Sequence, residues 1–376
     1  MIHIAEARKI AVLRANALGD FIFILPALRA LRERFPGAEI VLLGHQWHKQ
    51  YLQNRPGPVD RVIVVPPYQG ISEAEGFTPD PAELDRFFTE MQKEEFDIAF
   101  QLHGGGRNSN PFILRLGAKL TVGLKTPDAA SLDINVPYIY YFSEMLRYLE
   151  VVAQVGARTE MLEPEIAVTN EDKALAAEVI KEPAKPIAVI HPGASDRRRH
   201  WPPANFARLA DELVNRGYAV YVTGMPFESA VLDEVVSSSA QGSQLHKLCG
   251  TLSLSGMTGL LDAAELLISN DTGPLHLARA MKTPTLGIYW CGNSITGLPM
   301  TTSLHRSLLS FKIDCPLCGL SARKFGTSAD PNTCSHDTSF VADVSIEEAL
   351  ETLDELLSYC SQRKSGLQPA EESRAA

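Results

Sequence analysis

Long apolar runs are missing from this sequence. None of its 376 residues belongs to an uninterrupted stretch of the roughly 18–20 residues that a membrane span needs. The N-terminal MIHIAEARKIAVLRANALGD has no basic segment followed by a separate apolar core and a cleavage site, so it does not read as a secretory signal. Its apolar run reads as a buried first strand. Both absences point to a cytoplasmic chain, with transient attachment at the inner membrane surface left open. Positive charge is also short: 35 Lys and Arg stand against 45 Asp and Glu, for a net charge of −10. That argues against a nucleic-acid scaffold with its basic footprint, although one local basic cluster suffices for a small phosphate compound. Six cysteines in a chain of this length do not make a disulfide scaffold. The first strand-to-helix turn, Asn16-Ala17-Leu18-Gly19-Asp20, lacks the G-x-G-x-x-G of dinucleotide binding, which disfavours a dehydrogenase.

What is present is enough apolar material, 45% of residues, for two cores, and the length asks for two domains. Short β-branched runs alternate with longer amphipathic stretches, the pattern of a parallel α/β architecture. Strands are predicted over Lys9–Ala15, Glu39–Leu43, Arg61–Val65, Asp97–Leu102, Pro186–His191, Ala219–Thr223, Glu265–Ser269 and Thr285–Tyr289. Helices are predicted over Asp20–Phe35, Pro81–Lys93, Ser143–Val155, Ala204–Asn215, Ser229–Ser238, Leu254–Ala264, Pro274–Met281 and Ile346–Tyr359. The polar Leu162–Lys185 stretch reads as the crossing between domains, with a short helix possible over Glu171–Ile180. The expected division is a first Rossmann-like domain over 1–165 and a second over 166–345. A last helix over 346–360 and a disordered polar tail over 361–376 follow.

Three strand-to-helix junctions carry chemistry. Asp20 stands at the first, either as a helix cap or as a carboxylate able to accept a proton, with Gly19 letting the chain turn. The second is His191-Pro192-Gly193-Ala194-Ser195 followed by Asp196-Arg197-Arg198-Arg199-His200-Trp201-Pro202. Its hydroxyl and backbone donors with three successive Arg suit phosphoryl oxygens; the competing reading is an exposed basic loop. The third is Ser269-Asn270-Asp271-Thr272-Gly273-Pro274-Leu275-His276. There Thr272 and Gly273 stand at the positive end of a helix, a natural anion site, and His276 lies near the same mouth. His103-Gly104-Gly105-Gly106-Arg107 ends a further strand. It reads equally as a plain glycine turn or as an acceptor-binding loop, with Arg107 meeting an anionic sugar. Finally, Cys315-Pro316-Leu317-Cys318 followed by Cys334-Ser335-His336 forms a C-x-x-C…C-x-H array. Its four soft ligands can close a structural zinc site; ordinary thiols or a disulfide are the other readings.

Taken in order, LGD with LPALRALRERFPGAEI, HPGAS with RHWP, Gly224-Met225-Pro226-Phe227-Glu228 and NDTGPLHLARA resemble glycosyltransferase family 9, the ADP-heptose:lipopolysaccharide heptosyltransferases. The resemblance implies the GT-B fold: two Rossmann-like domains facing a central cleft, with an acceptor half, a nucleotide-sugar half and a last helix packing back on the first domain. It implies an inverting transfer of a heptose or related sugar from a nucleoside-diphosphate donor, ADP-heptose first, to a lipid-linked or cell-surface glycan acceptor, without a catalytic metal or other required cofactor. Asp20 is then the general base. Arg199, where the family usually has Lys, meets the diphosphate. Ser195, Asp271, Thr272, Gly273 and His276 complete the donor site, and Glu228 matches an acidic position associated with the nucleoside. Ala194-Ser195 stands where some members carry two Thr, which leaves the donor sugar open. A non-catalytic nucleotide-sugar-binding protein and a nucleotide-sugar epimerase of the same fold are the alternatives.

Overall fold

Ile10, Ala11, Val12 and Leu13 are all fully buried, as a parallel strand covered on both faces requires. They make the first strand, β1 (Lys9–Leu13). The chain continues through α1 (Leu18–Arg34), β2 (Glu39–Gly44), α2 (Gln46–Leu52), β3 (Arg61–Val64), α3 (Pro81–Lys93), β4 (Ile98–Gln101), α4 (Ser109–Arg115), β5 (Leu120–Lys125), β6 (Ile134–Pro137) and α5 (Glu144–Ala153). The series then restarts with α6 (Asn170–Ala177), β7 (Ile187–His191), α7 (Pro203–Asn215), β8 (Ala219–Gly224), α8 (Ser229–Ser238), β9 (His246–Cys249), α9 (Leu254–Ala263) and β10 (Leu266–Asn270). It ends with α10 (Gly273–Ala280), β11 (Thr285–Trp290), α11 (Cys291–Gly297), β12 (His305–Ser310) and α12 (Ile346–Lys364). The computed structural model describes residues 6–72, 80–320 and 336–365. Among them, no helix is long and apolar enough to cross a membrane.

Contacts divide the chain into two units, Met1–Ala167 and Val168–Ala376. Each holds one six-stranded sheet, ordered β3-β2-β1-β4-β5-β6 in the first and β12-β11-β10-β7-β8-β9 in the second, and every pairing is parallel. Renumbered within its unit, the second order is that of the first read backwards. Strand order therefore reverses between β1 and β4, and again between β7 and β10. Beyond the carboxyl ends of those strands an open α/β sheet offers a crevice for ligands. The loop after β1 leads to Asp20, and the loop after β4 is His103–Arg107. The loop after β7 holds Ser195 and Arg199, and Asp271 and Thr272 follow β10. All four stretches thus open at a topological switch point.

Two expectations change. The buried face of the last helix, Ile346, Ala349, Leu353 and Leu356, joins the core of the second unit with Trp201, Phe206 and Leu213, because α7 and β12 present the apolar surface it covers. The helix runs to Lys364, so residues 361–364, expected in the tail, are helical; residues 366–376 lie outside the described ones. Asp20 is not a cap. Ala17 is the N-cap of α1 and Asp20 lies inside the first turn, leaving its carboxylate to another partner.

Candidate active site

In the first unit that partner is Arg14, one residue beyond β1. Its guanidinium is buried, with 2% of the side chain exposed against 37% for Asp20. Nη2 donates to Asp20 Oδ1 at 2.8 Å and Nε to the Asp20 carbonyl at 3.1 Å. Nη1 donates to the Leu102 carbonyl at 2.8 Å and to the Tyr148 hydroxyl. That hydroxyl in turn donates to Glu144, which stands 3.5 Å from Arg14 Nη2. Burial alone would lower the Arg14 pKa, but Tyr148, Asp20 and Glu144 raise it overall. The cation is permanent. Burial pushes the Tyr148 hydroxyl well above its ordinary value, so it stays a neutral relay. Asp20 is thus a partly exposed carboxylate with one oxygen fixed by a buried cation.

His103 closes the same corner. Its Nδ1 accepts from the Ala15 amide at 3.4 Å, and Nε2 lies 3.2 Å from the Gly70 carbonyl, an arrangement only the Nε2-protonated neutral ring satisfies. Burial, with Arg14 nearby, pushes its pKa down to about 3, so it carries no charge at neutral pH. In the glycine run after it, Gly105 and Gly106 are imposed by packing. A Cβ on Gly106, whose φ is +94°, would stand 2.6 Å from the Leu124 carbonyl. Arg107 is exposed and 3.7 Å from Asp128, outside the buried corner.

In the second unit the three arginines separate. Asp196 accepts from the Arg198 amide at 3.0 Å and takes both its Nε and Nη2. Arg197 is exposed and lies 3.6 Å from Asp337. Only Arg199 turns inward. It donates to Ser195 Oγ at 2.8 Å and to the Asp271 carbonyl at 3.0 Å, and stands 3.6 Å from the Asp271 carboxylate. The expectation of three phosphate-facing cations therefore reduces to one. Asp271 also accepts from His276 Nε2 at 3.0 Å and from Asn293 Nδ2 at 2.8 Å. His276 Nδ1 faces Arg279, a pure donor, at 3.2 Å, so the proton sits on Nε2. Burial alone would raise the Asp271 pKa; the His276 bond, with Arg199 and Asn293, brings it below the carboxylate value instead. Thr272 is the N-cap residue of α10, and Gly273 opens that helix.

Glu228 follows β8 and is buried against the same loop. It accepts from the Met225 amide at 2.8 Å and lies 3.9 Å from His191 Nε2. A Cβ on Gly193 would meet its Oε1 at 2.0 Å, so the glycine is what lets the carboxylate approach. Near β12, Cys315, Cys318 and His336 bring their ligand atoms within 4.8 Å of one another; Cys334 lies outside the described residues. Sequence reasoning missed Arg14, Tyr148, Glu144 and Asn293. Only Arg14 left a signal, a charge closing an otherwise apolar strand.

The model of glycosyltransferase family 9 (heptosyltransferase) matches residues 84–309. Lipopolysaccharide heptosyltransferase 2 of Salmonella typhimurium is 24% identical over 295 residues, 75% of this chain and 82% of that protein. Among solved structures, a glycosyl transferase family 9 protein from Veillonella parvula superposes with a TM-score of 0.75 at 19% identity, covering 95% of this chain and 99% of its own. E. coli ADP-heptose LPS heptosyltransferase II gives 0.72 at 19% identity, with coverage again of 95% and 99%. The family match takes in more than half of the chain and the two-sheet GT-B fold is shared throughout, so this chain belongs to glycosyltransferase family 9 and is a glycosyltransferase.

Proposed function

We propose that the chain transfers a heptose, or a closely related sugar, from a nucleoside-diphosphate donor to a hydroxyl of a lipopolysaccharide-type acceptor presented at the inner membrane surface, with inversion in one displacement. Asp20 is the base. It removes the proton of the acceptor hydroxyl as that oxygen attacks the anomeric carbon and the nucleoside diphosphate leaves. Arg14 holds one carboxylate oxygen, which leaves the other oxygen to the acceptor. Arg199, Ser195 and the start of α10 receive the diphosphate, whose growing charge is met by a fixed cation and by N–H groups rather than by a metal at the reacting centre. Asp271 and His276 hold Arg199 and the helix start in register. Glu228 accepts from hydroxyls of the nucleoside, and His103 and Arg107 face the acceptor. ADP-heptose is the donor of choice, supported by the name of the E. coli relative.

The observation that carries this reading is the ion pair of Asp20 with a buried arginine at the switch point of the first sheet. A helix-start Asp serving only stability needs no such partner. The test is release of ADP from ADP-heptose in the presence of a deacylated lipopolysaccharide core, with the product's anomeric configuration read by NMR. Wild type is expected to release ADP and invert; equal turnover by Asp20→Asn overturns the assignment of the base. Selective thermal stabilisation by UDP rather than ADP overturns the choice of nucleotide.

A further inference from the structure

Cys315 is buried in the core of the second unit, yet it opens a Cys-Pro-Leu-Cys-Gly turn with an ordered hydrogen-bond pattern. The Leu317 amide donates to Cys315 Sγ at 3.4 Å, and the Gly319 amide to the Cys315 carbonyl at 2.9 Å. Gly319 has φ +70°, the left-handed conformation such a turn needs after its second cysteine. An N–H aimed at sulfur stabilises a thiolate more than a thiol, as an outer hydrogen bond does for a metal ligand. His336 then arrives from a distant part of the sequence, with Nδ1 at 3.7 Å from Cys315 Sγ. A tetrahedral zinc with Zn–S of about 2.3 Å and Zn–N of about 2.0–2.1 Å sets an S···N edge of about 3.6 Å. Cys318 and His336 are exposed, so their side chains can turn to close the remaining separations within 4.8 Å.

The segment that follows His336 is stitched to the Arg199 loop. Asp337 faces Arg197. Ser339 Oγ donates to the His200 carbonyl at 2.7 Å, and the Phe340 amide to the Arg198 carbonyl at 2.7 Å. Trp201 Nε1 donates to the Val344 carbonyl at 2.9 Å. On the other side, Trp290 Nε1 donates to the Lys312 carbonyl at 2.6 Å and its ring lies 5.2 Å from that of Phe340. Anything that joins Cys315 and Cys318 to His336 therefore ties the segment bonded to residues 197–201 to the Lys312–Trp290 side against which Phe340 packs.

We infer that Cys315, Cys318 and His336 bind one soft divalent transition ion, zinc by its ligand chemistry, and that this ion holds the loop carrying Arg199 in place. Two thiol protons leave to solvent as two sulfur–metal bonds form, and the imidazole contributes its Nδ1 lone pair; no electron is transferred. The ion is structural. The value of the loop to the donor rests on the reading of Arg199 above, but neither the metal count nor the loop's rigidity does, so either can fail alone.

The experiment takes the full chain, purified without a His tag or chelator, through elemental analysis and amide hydrogen exchange. About one equivalent of zinc per chain is expected in wild type, and below about a tenth of that in Cys318→Ser and His336→Gln. Both changes are at exposed positions, and circular dichroism checks that each variant stays folded. Stripping wild type with a chelator should speed exchange across residues 197–201 about tenfold or more; added zinc should restore it in wild type and not in Cys318→Ser. An equivalent of iron in zinc's place, lost in the same variants, supports the site with another ion. Wild type without metal, or a Cys318→Ser protein that keeps it, overturns the site. Unchanged exchange on stripping overturns the link to the loop.

Discussion

Arg14 grips Asp20 twice, at the Oδ1 carboxylate oxygen and at the backbone carbonyl. One buried side chain thus fixes both the carboxylate and the first turn of the helix that carries it.

Replacing Asp20 by Asn keeps the shape and removes the basicity. We expect the transfer rate to fall by about 10²–10⁴-fold, while ADP binds with unchanged affinity. Steady-state ADP release and a titration with ADP together check this, and a parallel loss of ADP affinity would contradict it.

Arg14 separates position from stability. Arg14→Met strands Glu144, Tyr148 and the Leu102 carbonyl around an apolar tip and should cost about 3–5 kcal/mol, as loss of one partner of a buried pair does. Arg14→Lys keeps the charge but not the fork. It should fold, lose turnover number and leave the donor KM unchanged. Denaturant titration and kinetics read the two effects apart.

The arginine loop gives an internal control. Arg199→Ala should weaken ADP binding about 10–100-fold, the scale of a charge-assisted hydrogen bond. Arg197→Ala should leave it within about twofold, since that side chain is exposed and faces Asp337. Equal losses in calorimetry would mean that the loop acts as an undivided basic patch.

Gly193→Ala places a methyl against Glu228, which must then move. The expected outcome is a raised donor KM with a lesser effect on turnover number, measured at saturating acceptor. A wild-type KM would show that Glu228 does not serve the nucleoside.

Acid should destabilise both units. Burial pushes the imidazoles of His48, His103 and His305 down to about 3 and that of His191 to about 4. Unfolded histidine titrates near 6.5, so below that pH the unfolded chain takes up protons that the folded chain refuses. Stability is full above about 6.5 and is lost as pH falls toward the folded values, by about 1.4 kcal/mol per pH unit for each histidine. Urea titrations at pH 7 and pH 5 measure the slope. In His305→Gln the slope of the second unit should flatten by about that amount.

The parallel framework was legible in the sequence because buried parallel strands are apolar throughout, as in IAVL and LLIS, and the four switch-point stretches were legible because strand, small residues and helix start recur there. α3 and α8 even keep their expected bounds, with Asp80 capping the first through the Ala82 amide. The missed elements lack those signals. β5, β6, β9 and β12 (LTVGLK, INVP, HKLC and HRSLLS) mix polar residues or Gly and Pro into short edge-side runs, and their pairing is set by the neighbouring strand rather than by their own pattern. α2, α4 and α11 are seven residues each, too short for a periodicity to show. The partners of Asp20 escaped for another reason: Glu144 and Tyr148 are about 130 residues from Arg14, and no local spacing announces a contact at that range.

That range has a consequence for the order in which the chain is made. When β1 and α1 leave the ribosome, Arg14 has only Asp20 to meet. Its remaining side-chain contacts are the Leu102 carbonyl, 88 residues on, Glu144, 130 residues on, and Tyr148, 134 residues on. Until α5 docks, a cation sits at an open sheet edge and favours water over burial. The corner around Asp20 is thus completed only when nearly the whole first unit has been synthesised, so a nascent chain without α5 carries Asp20 but not the grip that holds it.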